Sequence, residues 1–458
     1  MKIMFVSLGC DKNLVDTEKM IGQVAACHDR DGQYSFSFTD DEYEADVIVI
    51  NTCCFIGDAK EESINTIIEY GALKGQEGAS LKYLICAGCL VKRYRSEMLK
   101  ELPEVDGLID LKSLRLLPDM IFALMNGQKV NSDDYLTRDP LTYDGKRNLT
   151  TGGYYAYLKI ADGCDKRCTY CVIPYVRGSY VSVPMEEVIK EAEDLAARGV
   201  AELILVAQET TCYGKDLYGG KKLSELLHEL CKVEGIRWIR LLYCYPEEIT
   251  EDLIRCIKEE PKVLHYLDMP IQHSSDRILR AMGRRTNRRE ITERIQKLRE
   301  EIPDIAIRTT MITGFPGETE EDFEDLLDFI RTIRFDRLGV FPYSLEENTA
   351  AALMEGQVPQ EVKEERRDSA MQLQQEIAFS KAASFKGRVL DVMVEGKITD
   401  EDVYVGRSYL DAPGVDGFVF FSTERNLMSG EIVKVLITGS DEYDLIGELS
   451  ENELEFTE

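Results

Sequence analysis

The segment Tyr154–Cys171 reads YYAYLKIADGCDKRCTYC, an apolar run followed closely by three cysteines in the spacing C-x3-C-x2-C. The apolar run predicts a buried strand, and Gly163 permits a sharp turn into the cysteine loop. A structural zinc site would need a fourth cysteine or histidine, and the sequence near this loop has no histidine. Three thiolates on a [4Fe–4S] cluster leave one iron open, whereas electron-transfer clusters use four cysteines. The spacing therefore favours a substrate-binding cluster on Cys164, Cys168 and Cys171.

The alternation of strand and helix patterns continues from this loop to about residue 344. Six apolar runs predict strands there: Tyr154–Ile160, Ala201–Ala207, Ile236–Tyr243, Val263–Met269, Ile305–Thr313 and Arg337–Tyr343. Six β/α units are too few for a closed eight-stranded barrel, so they predict a partial, TIM-like (β/α)6 barrel that is open along one side. An open side would admit a large substrate.

A second set of cysteines follows strands near the N-terminus. Three apolar runs, Lys2–Leu8, Asp46–Ile50 and Leu81–Ile85, are each followed by a helical pattern, which predicts a parallel sheet covered by helices. Cysteines come after all three runs: Cys10, the pair Cys53 and Cys54, and Cys89. Because ligands bind at the carboxyl ends of strands in such sheets, we expect a second thiol site at this edge.

The rest of the chain divides by composition. The stretch Asn131–Thr151 loses periodicity and predicts a linker. After Gly387, five short alternating runs predict a small OB-like β-barrel: Val389–Val394, Asp402–Arg407, Gly417–Phe421, Ile432–Ile437 and Tyr443–Leu449. The predicted fold class is α/β with three domains: an N-terminal parallel-sheet domain over 1–128, the partial barrel over 150–380, and the small β-barrel over 381–451.

The composition of the whole chain predicts the cellular compartment and the state of its cysteines. The 458 residues contain no apolar run near the roughly 18 residues of a membrane span, and no export signal, so we expect a cytoplasmic protein without membrane contact. Thirteen cysteines, an odd number, do not suit a disulfide framework in a reducing compartment. Four of them fall in apolar patterns and are interpreted as buried hydrophobes: Cys27, Cys231, Cys244 and Cys256.

The cysteine loop after the first strand of a partial barrel resembles the radical S-adenosylmethionine (SAM) superfamily. The segments Ser7–Asn13, Asn51–Cys53 and Ala87–Leu90 are similar to the three signatures of the methylthiotransferase family, and Ile312–Thr319 also matches it. The terminal barrel resembles the TRAM module of that family. The resemblance implies two [4Fe–4S] clusters, one held by Cys164, Cys168 and Cys171 and an auxiliary one held by Cys10, Cys53 and Cys89. Cys54 and Cys86 remain alternative ligands of the auxiliary cluster.

The resemblance also implies the chemistry. The family uses SAM twice: to methylate a sulfur on the auxiliary cluster, and to form a 5′-deoxyadenosyl radical that abstracts hydrogen from an unactivated carbon. Because cofactors carry this chemistry, we expect no catalytic acid or base. Tyr170 and Gln208 are predicted to contact SAM, and His273 to be an ordinary loop histidine. A reductant such as flavodoxin or ferredoxin would supply electrons.

The predicted substrate is a protein. Branches of the family modify tRNA adenosines, at C2, or the aspartate β-carbon of the twelfth small-subunit ribosomal protein. Residues 381–458 contain 7 Lys and Arg against 17 Asp and Glu, and the whole chain has a net charge of −29. Such a barrel is expected to attract a basic ribosomal protein through surface carboxylates such as Asp411, Asp416 and Glu424, and to bind no nucleic acid directly. Gly406–Gly417 and Ile271–His273 also resemble the protein-modifying branch.

Two other classes of function compete with this hypothesis. A non-catalytic iron–sulfur scaffold or electron carrier would have four cysteines at each cluster, whereas each set here has three. A zinc-stabilised RNA-binding module would have a basic surface, which conflicts with the net charge.

Overall fold

The computed structural model describes residues 1–27, 36–128, 130, 145, 147–399 and 401–450. Within these ranges the chain packs as two compact units. The first comprises Met1–Thr150, Tyr157–Glu191 and Ser344–Ala352, and the second comprises Thr151–Ala156, Ala192–Tyr343 and Leu353–Glu458. The predicted linker lies mostly outside the described residues, and the three predicted domain ranges stay predictions.

A parallel sheet forms the centre of the first unit. Its strands in the described residues are β1 (Lys2–Ser7), β2 (Ser37–Phe38), β3 (Val47–Thr52), β4 (Tyr83–Gly88) and β5 (Gly107–Ile109), in the order β2-β1-β3-β4-β5. The accompanying helices are α1 (Asp11–Ala26), α2 (Gly57–Gly71), α3 (Cys89–Glu101) and α4 (Leu117–Met125). The predicted parallel sheet is confirmed. The short strands β2 and β5 were not predicted, because runs of two or three residues carry no periodicity.

Both faces of this sheet are buried. Along β3, Ile48 and Ile50 belong to one apolar cluster, whereas Val47 and Val49 belong to another on the opposite face. Successive side chains of a strand point to opposite faces, so a sheet covered on both sides requires a continuous apolar run. This burial explains why β3 is apolar at every position from 47 to 50 rather than alternating.

Helix α1 is buried although it is rich in charged residues. Glu18 accepts hydrogen bonds from Arg147 Nε at 2.9 Å and Nη2 at 2.6 Å, and Arg147 Nη1 donates to Glu191 at 2.6 Å. Lys19 also pairs with Glu191, at 3.0 Å. Buried charges are stable only when paired, and removing one partner of such a pair typically costs about 3–5 kcal/mol. Polar residues of α1 therefore form part of the core of the first unit.

The Cys164 loop lies between short elements of the first unit. Strand β6 (Tyr155–Lys159) is followed by β7 (Ala161–Asp162), α5 (Ile173–Val176) and β8 (Val181–Ser182). Strands β7 and β8 pair in antiparallel fashion, with Asp162 opposite Val181. This pairing closes the base of the loop that carries Cys164, Cys168 and Cys171.

A second sheet contains the predicted strands of the partial barrel. After helix α6 (Met185–Ala196), its strands are β9 (Glu202–Val206), β10 (Trp238–Leu241), β11 (Val263–Asp268), β12 (Ala306–Thr313) and β13 (Arg337–Pro342). In the described residues the order is β13-β12-β11-β10-β9-β6, and pairing is parallel from β9 to β13. The sheet does not close on itself within those residues, which confirms the prediction of a partial barrel.

Helices connect and cover these strands. They are α7 (Lys215–Tyr218), α8 (Leu223–Cys231), α9 (Glu251–Glu259), α10 (Asp276–Ala281), α11 (Arg288–Glu301), α12 (Glu320–Ile333) and α13 (Gln360–Ala383). Helix α12 begins at a capping box, in which the Thr319 hydroxyl and the Asp322 carboxylate each accept a backbone hydrogen bond. In the residues that the structure describes, every helix is too short or too polar to cross a membrane.

The C-terminal strands form a closed barrel. They are β14 (Val389–Lys397), β15 (Val403–Ser408), β16 (Val419–Ser422), β17 (Ile432–Asp441) and β18 (Asp444–Leu449), joined in the order β14-β15-β16-β18-β17. The predicted small β-barrel is confirmed. Helix α13 packs against β13 and β17.

Two carboxylates predicted to lie on the barrel surface are buried instead. Asp411 accepts from Arg337 at 2.5 Å, and Asp416 accepts from Tyr266 Oη at 2.7 Å; each carboxylate side chain is 2% exposed. The prediction that they attract a partner is therefore wrong, since they form ion pairs and hydrogen bonds within the second unit. Only Glu424 of the three is exposed.

The described part of the barrel exposes side chains of both signs. Among the described residues from 381 to 450, the exposed acids are Asp391, Glu401, Asp402, Glu424, Asp441, Glu442 and Glu448. The exposed bases are Lys386, Arg388, Lys397, Arg425 and Lys434. Five further acids of the range 381–458 lie outside the described residues: Asp400, Glu451, Glu453, Glu455 and Glu458.

Candidate iron–sulfur centres

The structure brings three N-terminal cysteines to one edge of the first sheet. Cys10 follows β1 and precedes the first residue of α1, Cys53 follows β3, and Cys89 begins α3 directly after β4. The three strands are parallel neighbours, in register from Ser7 opposite Asn51 to Thr52 opposite Gly88. Their carboxyl ends therefore place the thiols side by side.

Backbone geometry at Gly9 permits this close approach. Gly9 has φ +82°, and a Cβ atom there would lie 2.7 Å from Cys53 Sγ. A side chain at this position would therefore displace the Cys53 thiol as well as strain the backbone. A glycine before Cys10 is required for the two thiols to share a site.

Asn13 joins the loops that carry the thiols. Its Nδ2 donates to Leu8 O at 2.9 Å and to Thr52 O at 3.0 Å, and its Oδ1 lies 3.9 Å from Cys89 Sγ. One buried amide thus contacts the segment before Cys10, the segment before Cys53, and the Cys89 thiol itself. These contacts explain why the Ser7–Asn13 segment ends in an asparagine.

The surroundings of Cys53 and Cys89 favour the neutral form of these two thiols. Burial raises the pKa of Cys53, the nearby Cys10 raises it further, and Arg177 opposes the rise. Burial likewise raises the pKa of Cys89, and Arg177 opposes it. Three thiolates cannot gather here without a compensating positive charge, which metal ions would supply because they bind cysteine as thiolate.

Cys54 and Cys86 lie near the three N-terminal thiols. Cys86 lies in the apolar cluster with Leu84 and Ile50, and its pKa is raised by burial and by Glu104 and Asp106. Cys54 belongs to the same cluster; burial raises its pKa to about 12, and its thiol contacts Arg93. Cys89 is part of this cluster as well, so Cys54 and Cys86 stay alternative ligands.

The Cys164 loop forms the second thiol set. Gly163 has φ +78°, and a Cβ atom there would collide with the carbonyl oxygen of Ser179. Cys164 N donates to Gly178 O at 3.1 Å, and Cys171 N donates to Cys168 O at 3.0 Å. Cys164 and Cys168 are buried and Cys171 is partly exposed. The backbone thus holds three thiols in one tight loop.

The donor chemistry of both sets fits [4Fe–4S] clusters. Each set offers three cysteines, which is the number that leaves one iron open. In the described residues, no three Cys, His, Asp or Glu side chains are arranged as ligands of a single metal ion.

The two residues predicted to contact SAM lie in different units. Tyr170, in the first unit, is partly exposed between Cys168 and Cys171. Gln208, in the second unit, follows β9, and both Nε2 and Oε1 are buried without a hydrogen-bond partner in the described residues. An unsatisfied buried amide costs roughly 1–3 kcal/mol. A ligand that paired with Gln208 would remove that cost.

The contacts of His273 indicate a structural role rather than a catalytic one. Its side chain is fully buried, Nδ1 accepts from Ser275 N at 3.0 Å, and Nε2 lies 3.3 Å from Glu318 Oε2. Glu318 also accepts from Gly314 N, at 3.0 and 2.9 Å, and from Arg366 at 2.7 Å. The motif Ile312–Thr319 thus shapes the turn after β12.

Sequence reasoning missed one residue of the N-terminal site. Arg177 follows α5 and donates through Nη2 to Asn13 Oδ1 at 2.5 Å. It is 164 positions from Asn13 in the chain, and an arginine after a short helix carries no signal of its own. Only the folded structure places its charge beside the thiols.

Sequence profiles of known families match most of the chain. Residues 158–330 match the radical SAM superfamily, residues 387–449 the TRAM domain, and residues 2–110 a family described as uncharacterized protein family UPF0004. Among solved structures, the radical SAM methyltransferase TsrM of Kitasatospora setae has a TM-score of 0.54 at 15% identity and covers 77% of each chain. Fold and cysteine loop together define a radical SAM enzyme.

Sequence relatives narrow this class to one family. The ribosomal protein uS12 methylthiotransferase RimO of Lachnoclostridium phytofermentans is 55% identical over 98% of this chain and 99% of its own. The enzymes of that name from Acetivibrio thermocellus and Pelotomaculum thermopropionicum are 48% and 49% identical, each over 98% of this chain and 98% and 99% of theirs. The chain belongs to the family of ribosomal protein uS12 methylthiotransferases. The predicted enzyme class, with SAM and [4Fe–4S] clusters as cofactors, is confirmed.

Proposed function

We propose that this protein attaches a methylthio group to the β-carbon of an aspartate in ribosomal protein uS12. The observation that carries the proposal is the 55% identity to a uS12 methylthiotransferase over 98% of the chain. At that identity and coverage, all three regions of the relative have counterparts here: the N-terminal sheet, the radical SAM region and the terminal barrel. The reaction would take place in the cytoplasm, with a reductant such as flavodoxin or ferredoxin.

The proposed ligands are the two sets of three cysteines. Cys164, Cys168 and Cys171 would hold the cluster that binds SAM, and Cys10, Cys53 and Cys89 the auxiliary cluster. When bound, the clusters and SAM supply the electron, the radical and the sulfur that the reaction needs. The chain's own contribution is position: Gly9 and Gly163 allow the tight approach of the thiols, and Asn13 fixes the loops around them.

SAM contacts are proposed for Tyr170 and Gln208. The support for Gln208 is its buried amide at the carboxyl end of β9, which has no hydrogen-bond partner within the described ranges and lies where sheets of this kind bind ligands. Tyr170 is supported by its place between two cluster cysteines. We propose no acid–base residue, and the buried pairing of His273 with Ser275 and Glu318 supports that choice.

A second candidate is a tRNA adenosine C2 methylthiotransferase. It draws on the TRAM match over 387–449, because that module usually binds RNA. The identity to uS12 enzymes over the whole chain favours the protein substrate.

The test offers both substrates to one enzyme. Anaerobically reconstituted protein is incubated with SAM, dithionite, purified uS12 and purified tRNA, and both are then analysed by mass spectrometry. We expect one methylthio group in place of one hydrogen on uS12 alone. Modification of tRNA alone would refute the protein branch and establish the second candidate.

A control separates the two cysteine sets. The variant with Cys10, Cys53 and Cys89 replaced by Ala is expected to form 5′-deoxyadenosine from SAM but to transfer no methylthio group. The matched control is Cys231→Ala, which alters a partly exposed cysteine in α8 and should leave both reactions intact. Methylthio transfer by the triple variant would contradict the assignment of these cysteines to an auxiliary cluster.

A further inference from the structure

A buried arginine links the Cys164 loop to the N-terminal thiols. Arg177 lies six residues after Cys171, and its side chain is 1% exposed. Nη2 donates to Asn13 Oδ1 at 2.5 Å, and the same oxygen lies 3.9 Å from Cys89 Sγ. The guanidinium therefore reaches the N-terminal site through a single side chain.

The opposite edge of this guanidinium is fixed by carboxylates. Nη1 donates to both oxygens of Asp162 at 3.1 Å and to Asp16 at 3.2 Å. Asp162 precedes the Cys164 loop and accepts from Gly163 N at 2.9 Å. Lys159 pairs with the same two carboxylates. Two cations and two anions balance, so Arg177 is held in place with one edge toward the thiols.

We propose that Arg177 is a positioning residue of the N-terminal site and that its fixed charge raises the reduction potential of the cluster on Cys10, Cys53 and Cys89. The inference rests on the proposed assignment of those cysteines as ligands. Reduction adds negative charge to a cluster, and a buried cation nearby stabilises the more negative state. Charge and hydrogen bonding around cluster sulfurs are known determinants of potential.

Arg177 carries the permanent positive charge that this role requires. Its own pKa is raised well above the ordinary value: burial opposes the rise, and Asp162, Cys89, Asp16 and Cys10 produce it. The guanidinium stays charged at any working pH.

A structural role alone would be the competing explanation, since Arg177 also anchors Asp162 at the base of the Cys164 loop. The two roles predict different effects on the midpoint potential of the cluster: an electrostatic role of Arg177 shifts it, whereas a purely structural role does not. Lys159 provides the matched control, because it is equally buried and pairs with the same carboxylates, but its contacts lie with Asp16 and Asp162 rather than with Asn13. Removing the Lys159 charge disturbs the ion pairs with Asp16 and Asp162 but leaves the Arg177 charge beside the thiols.

The experiment uses the full-length chain with Cys164, Cys168 and Cys171 replaced by Ala, so that only the N-terminal site can carry a cluster. Iron content and the midpoint potential, from a redox titration followed by electron paramagnetic resonance, are measured for this parent and for added Arg177→Gln, Arg177→Lys and Lys159→Gln. We expect a lower potential in Arg177→Gln, and potentials near that of the parent in Arg177→Lys and Lys159→Gln.

Each failure has its own meaning. A parent without iron would refute the ligand assignment, and with it the proposed function of these cysteines. A parent with iron and an unchanged potential in Arg177→Gln would overturn the role of Arg177, as would an equal drop in Lys159→Gln. Should Arg177→Gln lose its iron, the double variant Arg177→Gln, Asp16→Asn restores the charge balance, and its potential is expected to lie below that of Asp16→Asn alone. Equal potentials in these two variants would overturn the role of Arg177.

Discussion

The side-chain amide of Asn13 donates to the backbone carbonyl of Thr52 over 3.0 Å and ties the first turn of α1 to the end of β3. This bond joins two segments that are 39 residues apart and that each carry a thiol of the N-terminal site. Both atoms are buried, so neither can replace the lost partner with water.

Asn13→Ala is expected to lower the free energy of unfolding of the metal-free protein by about 2–3 kcal/mol. The buried carbonyl of Thr52 and the partly buried carbonyl of Leu8 lose a donor, and Arg177 loses an acceptor. Urea denaturation followed by circular dichroism measures the change. Gln375→Ala, at an exposed position of α13, is the control and should stay within about 0.5 kcal/mol of the parent. An equally small effect of Asn13→Ala would show that these bonds contribute little.

Iron content tests the two-cluster assignment. We expect about eight irons per chain after anaerobic reconstitution, and about half as many when Cys164, Cys168 and Cys171 are replaced by Ala. Iron is measured colorimetrically together with acid-labile sulfide, and Cys231→Ala should retain the full amount. Full iron in the triple variant would contradict the ligand assignment of the Cys164 loop.

Cys53 and its neighbour Cys54 are expected to behave differently. Cys53→Ala removes a proposed ligand of the auxiliary cluster and should abolish methylthio transfer while 5′-deoxyadenosine formation continues. Cys54→Ala and Cys86→Ala remove small groups from an apolar cluster and should lower stability by about 1 kcal/mol, with iron content unchanged. The measurements are iron content, product analysis and urea denaturation. Loss of iron in Cys54→Ala, with Cys53→Ala intact, would exchange the roles of the two residues.

The buried side-chain amide of Gln208 has no hydrogen-bond partner among the described residues, so its loss should affect ligand binding more than stability. Gln208→Ala should weaken SAM binding by about tenfold, which corresponds to roughly 1.4 kcal/mol, the worth of a good hydrogen bond. Stability of the SAM-free protein should fall by no more than about 1 kcal/mol, since no hydrogen bond is lost. Equilibrium binding and thermal unfolding measure the two effects. Unchanged SAM affinity would exclude Gln208 from the SAM site.

Charge changes on the barrel should separate buried from exposed acids. Asp411→Asn removes the shorter of the two ion pairs of Arg337, which keeps only the contact with Asp416 at 4.0 Å, and should lower the free energy of unfolding by about 3 kcal/mol. Glu424→Lys, at an exposed position, should leave stability within about 0.5 kcal/mol and change only the salt-dependent association rate with uS12. Denaturation and stopped-flow binding test the pair. A stable Asp411→Asn variant would mean that its ion pair contributes nothing.

The apolar runs of the sequence determined the order and type of the main strands. Each predicted run from Lys2–Leu8 to Tyr443–Leu449 corresponds to an observed strand whose ends differ by a few residues. Such runs report burial on one or both faces of a sheet, which depends mainly on neighbouring residues. The cysteine spacing in the Cys164 loop is local in the same sense, and the loop closes on itself through the bond from Cys171 N to Cys168 O.

Tertiary structure decided the features that depend on partners distant in sequence. The acidic composition of the barrel predicted an attractive surface, yet Asp411 and Asp416 meet Arg337 and Arg308 from other strands and become buried ion pairs. Arg177 carries no local signal and acquires its place beside the thiols only when α5 packs near α1. A charged side chain is neutralised, buried or exposed according to what the fold brings against it, and sequence alone does not specify those contacts.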